Sequence, residues 1–133
     1  MLKKILGCYF LFLFSISAYA EKKLNFALFA SRDSIDPFFS NSIDFAKASA
    51  ESLGFNIEQF YANGDHYLMA EQLKEAINSK RFDAFILMNF KNNLSKTTKI
   101  CEENNVKYFV YNAGFVIDEN YGSPREKLNN WLG

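Results

Sequence analysis

From Leu24 onward, short apolar runs alternate with longer stretches in which apolar residues recur every three or four positions. The first run, Leu24 to Ala30, predicts a strand, and Pro37 to Leu53 predicts a helix with Phe39, Ile43, Ala46, Ala50 and Leu53 on one stripe. Pro37 suits a first helical position, Asp36 can cap the free amides, and Gly54 can take the left-handed conformation just past the helix end. Phe55 to Ala62 predicts a second strand, and its more alternating pattern with Glu58 and Gln59 marks it as an edge. A helix over Asp65 to Lys80 follows, with Met69, Leu73, Ala76 and Ile77 inward and Lys80-Arg81 set to complement its dipole. Ala84 to Met88 reads as strand three, Leu94 to Asn104 as a weaker helix ending in an Asn104-Asn105 turn, and Lys107 to Tyr111 as strand four.

Strands and helices in strict alternation predict an α/β fold: a three-layer, doubly wound parallel sheet with helices on both faces. Right-handed crossovers give it the order 2-1-3-4. Residues 115–133 read as an irregular connector, with a short helix around Arg125 to Trp131 and no partner within the chain. Strand four would then leave an uncovered edge, which promotes self-association.

Residues 1–20 stand apart from this alternation. Lys3-Lys4, the apolar run Ile5 to Ile16 and Ala18-Tyr19-Ala20 before Glu21 form a cleaved secretory signal peptide. The apolar run is shorter than the ~20 residues a membrane span requires, and Cys8 falls near its start, not after it where a lipoprotein box belongs. Export of this kind carries the chain across the membrane. Cys8 leaves with the leader, so Cys101 remains alone, no internal disulfide is possible, and its inward helical position makes it a buried thiol.

At 133 residues, with 49% apolar and 23% charged, the chain has the size and composition of one folded domain, here 21–114. Removing Lys3 and Lys4 from 15 bases against 15 acids leaves a charge of about −2 with the bases scattered, which excludes a nucleic-acid surface. The only histidine, His66, has no ligand partners at metal spacing, and no nucleophile elbow, phosphate loop or dinucleotide fingerprint follows a strand. Enzyme activity and cofactors are not expected. Glu102-Glu103 reads as a solvated face.

In open α/β sheets ligands bind beyond the carboxyl ends of the strands. Those ends supply Ser31 and Asp36 after strand one, Asn89 after strand three and Asn112 after strand four, with Phe38 and Phe39 at the mouth of the first helix. Hydroxyls can take hydrogen bonds from the polar groups while a sugar's C–H face rests on a ring. Phe39 begins the core stripe and Phe38 lies off it, so Phe38 is the better ligand contact.

Asp36-Pro37-Phe38-Phe39 after strand one resembles the ligand turn of type I periplasmic binding proteins of the sugar-binding, ribose-binding-like kind. Asn63-Gly64-Asp65 before a helix carrying Gln72, then Phe82 to Leu87, then Val106 to Asn112 follow that family's order of elements. Pro124 to Lys127 with Trp131-Leu132-Gly133 is similar to a connector in one of its branches. The resemblance implies the N-terminal lobe of a solute-binding protein that captures a sugar or sugar-like molecule and presents it to the membrane subunits of an ABC importer or to a sensor kinase. It also implies a second lobe at least as long as this sequence, and so a truncated or interrupted chain. Asp36 stands where many sugar binders have Asn, and Asn112-Ala113 where they carry Asp-Arg, so a cyclitol or other polyol suits the site as well as a pentose or hexose. A stand-alone or decayed secreted α/β domain is the competing reading.

Cleavage is expected after Ala20, and the intact mass of exported protein checks it. A mass that retains Met1 to Ala20, or a diacylglycerol on Cys8, overturns the soluble periplasmic assignment.

Overall fold

The computed structural model of the chain describes residues 22–31, 37–89, 91–111 and 128–133. The leader, Asp36, Asn112 and the connector over 115–127 lie outside the described residues. The expected alternation is realised as β1 (Asn25–Ala30), α1 (Pro37–Ser52), β2 (Asn56–Tyr61), α2 (His66–Ser79), β3 (Ala84–Met88), α3 (Leu94–Glu103) and β4 (Tyr108–Tyr111). All four strands are parallel in the order β2-β1-β3-β4, with β2 at one edge as its alternation required. Asn25 pairs with Asn56, Phe26 with Ala84 and Phe85 with Tyr108.

Successive strand residues face opposite layers, and this sorts the core into two. Ala27, Phe29, Phe85, Leu87 and Tyr108 meet Met69, Ala70, Leu73 and Ala76 of α2 and Leu94, Ile100 and Cys101 of α3. Phe29 stacks on Phe60 at 4.8 Å, and Phe82 sits edge-on to both Phe60 and Phe85. On the opposite face Leu28 and Ala30 meet Ile43 of α1, with Ala46, Ile57, Tyr61, Ile86 and Tyr111 around them. The α1 stripe is shorter than expected. Leu53 is 66% exposed because α1 stops at Ser52 and the chain turns away at Gly54.

Helix ends follow the local chemistry of their residues. Gly54 takes φ +76°, Phe55 N–H donates to Ala50 O and Gly54 N–H to Glu51 O, a Schellman closure. Asn105 closes α3 the same way at φ +53°, its N–H donating to Glu102 O and that of Val106 to Cys101 O. Asp65 caps α2 by accepting the Tyr67 and Leu68 amides, which hold its carboxyl below the usual range. A depressed carboxylate stabilises the fold above its unfolded pKa, and that contribution is lost as pH falls through the folded value. Arg81 does not serve the α2 dipole as expected. Its guanidinium makes a bidentate pair with Glu58 of β2 at 2.7 and 3.1 Å and lies over Phe82.

The free edge of β4 is also not as expected. Residues 128–133 lie along it as a strap: Trp131 bridges Tyr108 in parallel, Tyr108 N–H donates to Asn130 O, Leu132 N–H to Tyr108 O, and Val110 N–H to Gly133 O. Trp131 packs on the larger core. The supposedly solvated Glu102 is half-buried and accepts the Tyr108 hydroxyl (3.0 Å), the Asn129 and Asn130 amides (3.2 and 3.0 Å) and Asn130 Nδ2 (3.0 Å). Residues 128–131 are not in the short helix expected around Arg125 to Trp131, and they have a partner in β4; a segment this short carries too little periodicity to declare a strand.

Leu87→Ala is expected to cost about 2–5 kcal/mol, since its site is fully buried against rigid neighbours, and Leu53→Ala less than about 0.5 kcal/mol. Urea unfolding of the two variants checks this, and equal losses contradict the burial pattern.

Candidate functional site

Parallel strands bring every strand's carboxyl end, and the N-termini of α1, α2 and α3, to one edge of the sheet. Phe29 pairs with Leu87, so β1 and β3 end level, one residue before Ser31 and Asn89. Those two expected site residues are therefore neighbours on this edge. Ser31 is only 2% exposed, and its carbonyl accepts the Gly64 N–H at 2.6 Å, which makes it part of the floor beneath the edge. Asn89 is half-buried. Phe38 and Phe39 open α1 at the same edge, their rings edge-to-face with centroids 5.2 Å apart and planes at 82°. Phe38 is 60% exposed while Phe39 is half-buried, as the stripe required. Asp36 and Asn112 lie outside the described residues.

Loop contacts that the sequence reading did not name fix this edge. Asn63 and Gly64 both have positive φ, the Asn-Gly signal for a tight turn, and this turn presents Gly64 to Ser31. Lys91 Nζ donates to Gly64 O at 3.0 Å, and the buried Asn93 donates through Nδ2 to His66 O at 3.1 Å. These two bonds tie the loop after β3 to the loop after β2. Gln72 Nε2 donates to Tyr61 O at 3.1 Å, anchoring α2 to the end of its strand. Lys91 and Asn92 both take positive φ, and a lysine in that conformation carries no sequence signal. His66 begins α2 with its ring centroid 4.1 Å from that of Tyr67, a local packing role.

The last rung of the sheet on the α1 face runs Tyr61, Ala30, Met88, Tyr111, as the pairings Ala30 with Tyr61 and Met88 with Tyr111 require. Tyr61 donates its hydroxyl to Gln59 Oε1 at 2.7 Å. Burial, with Tyr61 close by, pushes the Tyr111 phenol up to about 12. An open cavity of about 520 Å³ lies beside this rung, lined by Leu28, Asn41, Ser42, Phe45, Ala46, Ile86 and Tyr111. Among the described residues its lining carries no charged side chain. The amino edge of the sheet has another of about 490 Å³, spanned by the Arg81–Glu58 pair.

Among the described residues no three His, Cys, Asp or Glu side chains are grouped to hold a metal ion, and no helix is long and apolar enough to cross a membrane. Cys101 is fully buried in α3. Burial, then the neighbouring Glu102 carboxylate, push its thiol up to about 12, so the nucleophilic thiolate is scarce at neutral pH.

No protein-family model matches the chain, and no curated protein matches it. Solved structures do. A periplasmic sugar-binding protein from Pseudomonas fluorescens is 19% identical with a TM-score of 0.63 over 73% of this chain and 30% of its own. A sugar ABC transporter protein from Yersinia enterocolitica is 19% identical at TM-score 0.64, covering 84% of this chain and 30% of its own. A glucose-galactose binding protein from Geobacillus stearothermophilus is 18% identical at TM-score 0.58, covering 68% and 32%. The chain thus has the α/β fold of these binding proteins over the matched part, and the resemblance read in the sequence holds at the level of fold. It spans about a third of their length.

Cys101 is expected to resist alkylation by iodoacetamide at pH 8 in the folded protein and to react fully in 6 M guanidinium, the difference being burial of the thiol. Mass spectrometry of the two samples checks it, and equal labelling contradicts the packing of α3.

Proposed function

We propose that this chain is the ligand-binding first lobe of a periplasmic solute-binding protein that captures a sugar or sugar-like polar molecule for an ABC importer. The observation that carries the reading is the exposed Phe38 ring, braced edge-on by Phe39, at the strand edge where open α/β sheets take their ligands. An aromatic face of this kind suits the C–H face of a sugar ring. Asn89 and, from the sequence, Asp36 and Asn112 would accept and donate to its hydroxyls, while Ser31 would hold the floor of the site. The sugar-binding proteins among the fold's structural neighbours support the substrate class, and their greater length supports a second lobe closing over the ligand. A cleaved leader over residues 1–20 would bring the protein to the periplasm.

A second reading, a stand-alone secreted α/β domain, is favoured by one observation. The strap already covers the β4 edge, so the four-stranded sheet has no bare amides there that demand a further strand.

Calorimetry with a panel of monosaccharides is expected to show only millimolar or weaker binding to this chain, because one lobe leaves much of a ligand hydrated, whereas tight sites bury ~70–90% of it. Joined to the second lobe of a structural neighbour, the chain is expected to bind, with Phe38→Ala weakening affinity by ~1–3 kcal/mol and His66→Ala leaving it unchanged. Equal effects of the two substitutions would falsify the placement of the site, and no binding by the joined protein favours the stand-alone domain.

A further inference from the structure

The segment that opens α3 makes three contacts with the start of α2 and the turn before it, and each goes with a local departure unfavourable to α3. Lys91 and Asn92 take φ of 48° and 55°, a left-handed pair without glycine, and Lys91 Nζ donates to Gly64 O at 3.0 Å. Asn93 stands at the N-cap position of α3, where asparagine is among the best residues, yet its backbone is helical at φ −79° and ψ −4° and its side chain makes no capping hydrogen bond. Its Nδ2 donates to His66 O at 3.1 Å instead. Lys96 is a cation in the first turn, at the positive end of the helix dipole, with no acidic residue there to offset it, and its Nζ lies 4.6 Å from the centre of the Tyr67 ring. Asp65, at the same position of α2, shows the ordinary arrangement: an extended backbone at φ −103° and ψ 111°, and a side chain that accepts the Tyr67 and Leu68 amides.

A helix start that forgoes its cap, holds a left-handed pair and sets a lysine against its own dipole is not arranged for its own stability. Such departures persist where the surrounding structure holds a geometry that function uses. The geometry held here is that of the loop after β3, which begins at Asn89, beside Ser31 on the carboxyl edge. We propose that Asn93 is a positioning residue of the candidate site: it gives up capping α3 to hold the loop after β3, and with it Asn89, in one place against the start of α2. The inference rests on the carboxyl edge being the ligand edge, as proposed above. Of the three contacts that of Asn93 dominates, because Asn93 is 4% exposed, whereas Lys91 and Lys96 lie in the open, where water competes for their charges.

The test uses three variants of the full chain. Asn93→Ala removes the tie and offers no cap. Asn93→Ser ends one bond short of Nδ2 and Asn93→Asp has no donor, so both lose the tie, but either can cap the α3 amides. Thermal unfolding is expected to show Asn93→Ala as the least stable, with the serine and aspartate variants restored to within about 3 °C of the unsubstituted chain. Backbone order parameters from NMR relaxation are expected to part from stability: about 0.85 at Asn89, Lys91 and Asn92 in the unsubstituted chain and below ~0.6 in all three variants, while Leu28, Phe29 and Leu87 stay rigid. Unchanged order parameters in Asn93→Ser and Asn93→Asp overturn the positioning role, and midpoints for these two as low as that of Asn93→Ala overturn the forgone cap. Neither readout needs a ligand, so failure of the sugar assignment shows separately, as no binding by the protein joined to a second lobe. In a joined protein that binds, Asn93→Ser is expected to weaken affinity about tenfold, and equal affinity overturns the link from Asn93 to the ligand.

Discussion

β1 lies between β2 and β3, and its residues Ala27 to Ala30 have almost no exposed surface on either face. A strand buried on both sides must find an apolar layer above and another below, and the helices on the two faces answer that demand. Phe29 and Ala27 require the layer built by α2 and α3, and Leu28 and Ala30 require α1. The two layers are unequal. Two helices cover one face, but on the other α1 alone reaches β1 and β2, so Ile86 and Tyr111 on β3 and β4 border an open cavity. Burial at the centre therefore fixes both the three-layer architecture and the place where it is incomplete among the described residues.

The same constraint explains what was readable in the sequence. Runs such as Phe26 to Ala30 and Phe85 to Met88 are apolar at consecutive positions because both their faces are covered, and a short continuous run between periodic helices has few other readings. β2 alternates because it is an edge, and Gly54 and Asp65 announce helix ends through backbone geometry and a side-chain acceptor. These are local signals, carried within a few residues. The order 2-1-3-4 then follows from crossover handedness, with no knowledge of any individual contact.

Contacts between elements distant in sequence had no such signal. Glu102 and Asn130 are 28 positions apart, and nothing in Glu102-Glu103 separates a carboxylate that gathers four donors from one facing water. Arg81 at the end of α2 is similar: charge near a helix terminus suggests the dipole, yet a bidentate carboxylate on the neighbouring edge strand offers two charge-assisted bonds, and that pair wins. Both cases show a charged side chain choosing the partner that satisfies more of its hydrogen-bonding capacity. That choice belongs to the tertiary structure.

The candidate site divides along the same line. Phe38 and Phe39 could be ranked from helical spacing alone, because one falls on the buried stripe and the other does not, and their exposures differ accordingly. Ser31 could not be ranked. Its position after β1 suggested a ligand group, but the Asn63-Gly64 turn delivers an amide to its carbonyl and draws the residue under the surface. The loop after β3 then fastens to that turn through Lys91 and Asn93. A binding edge assembled from separate loops needs such fastening if its rings and polar groups are to meet a ligand in one fixed geometry, because mobility there would cost affinity on binding. The residues that fasten the loops are thus different from the proposed contact residue Phe38, whose place off the buried stripe could be read from helical spacing.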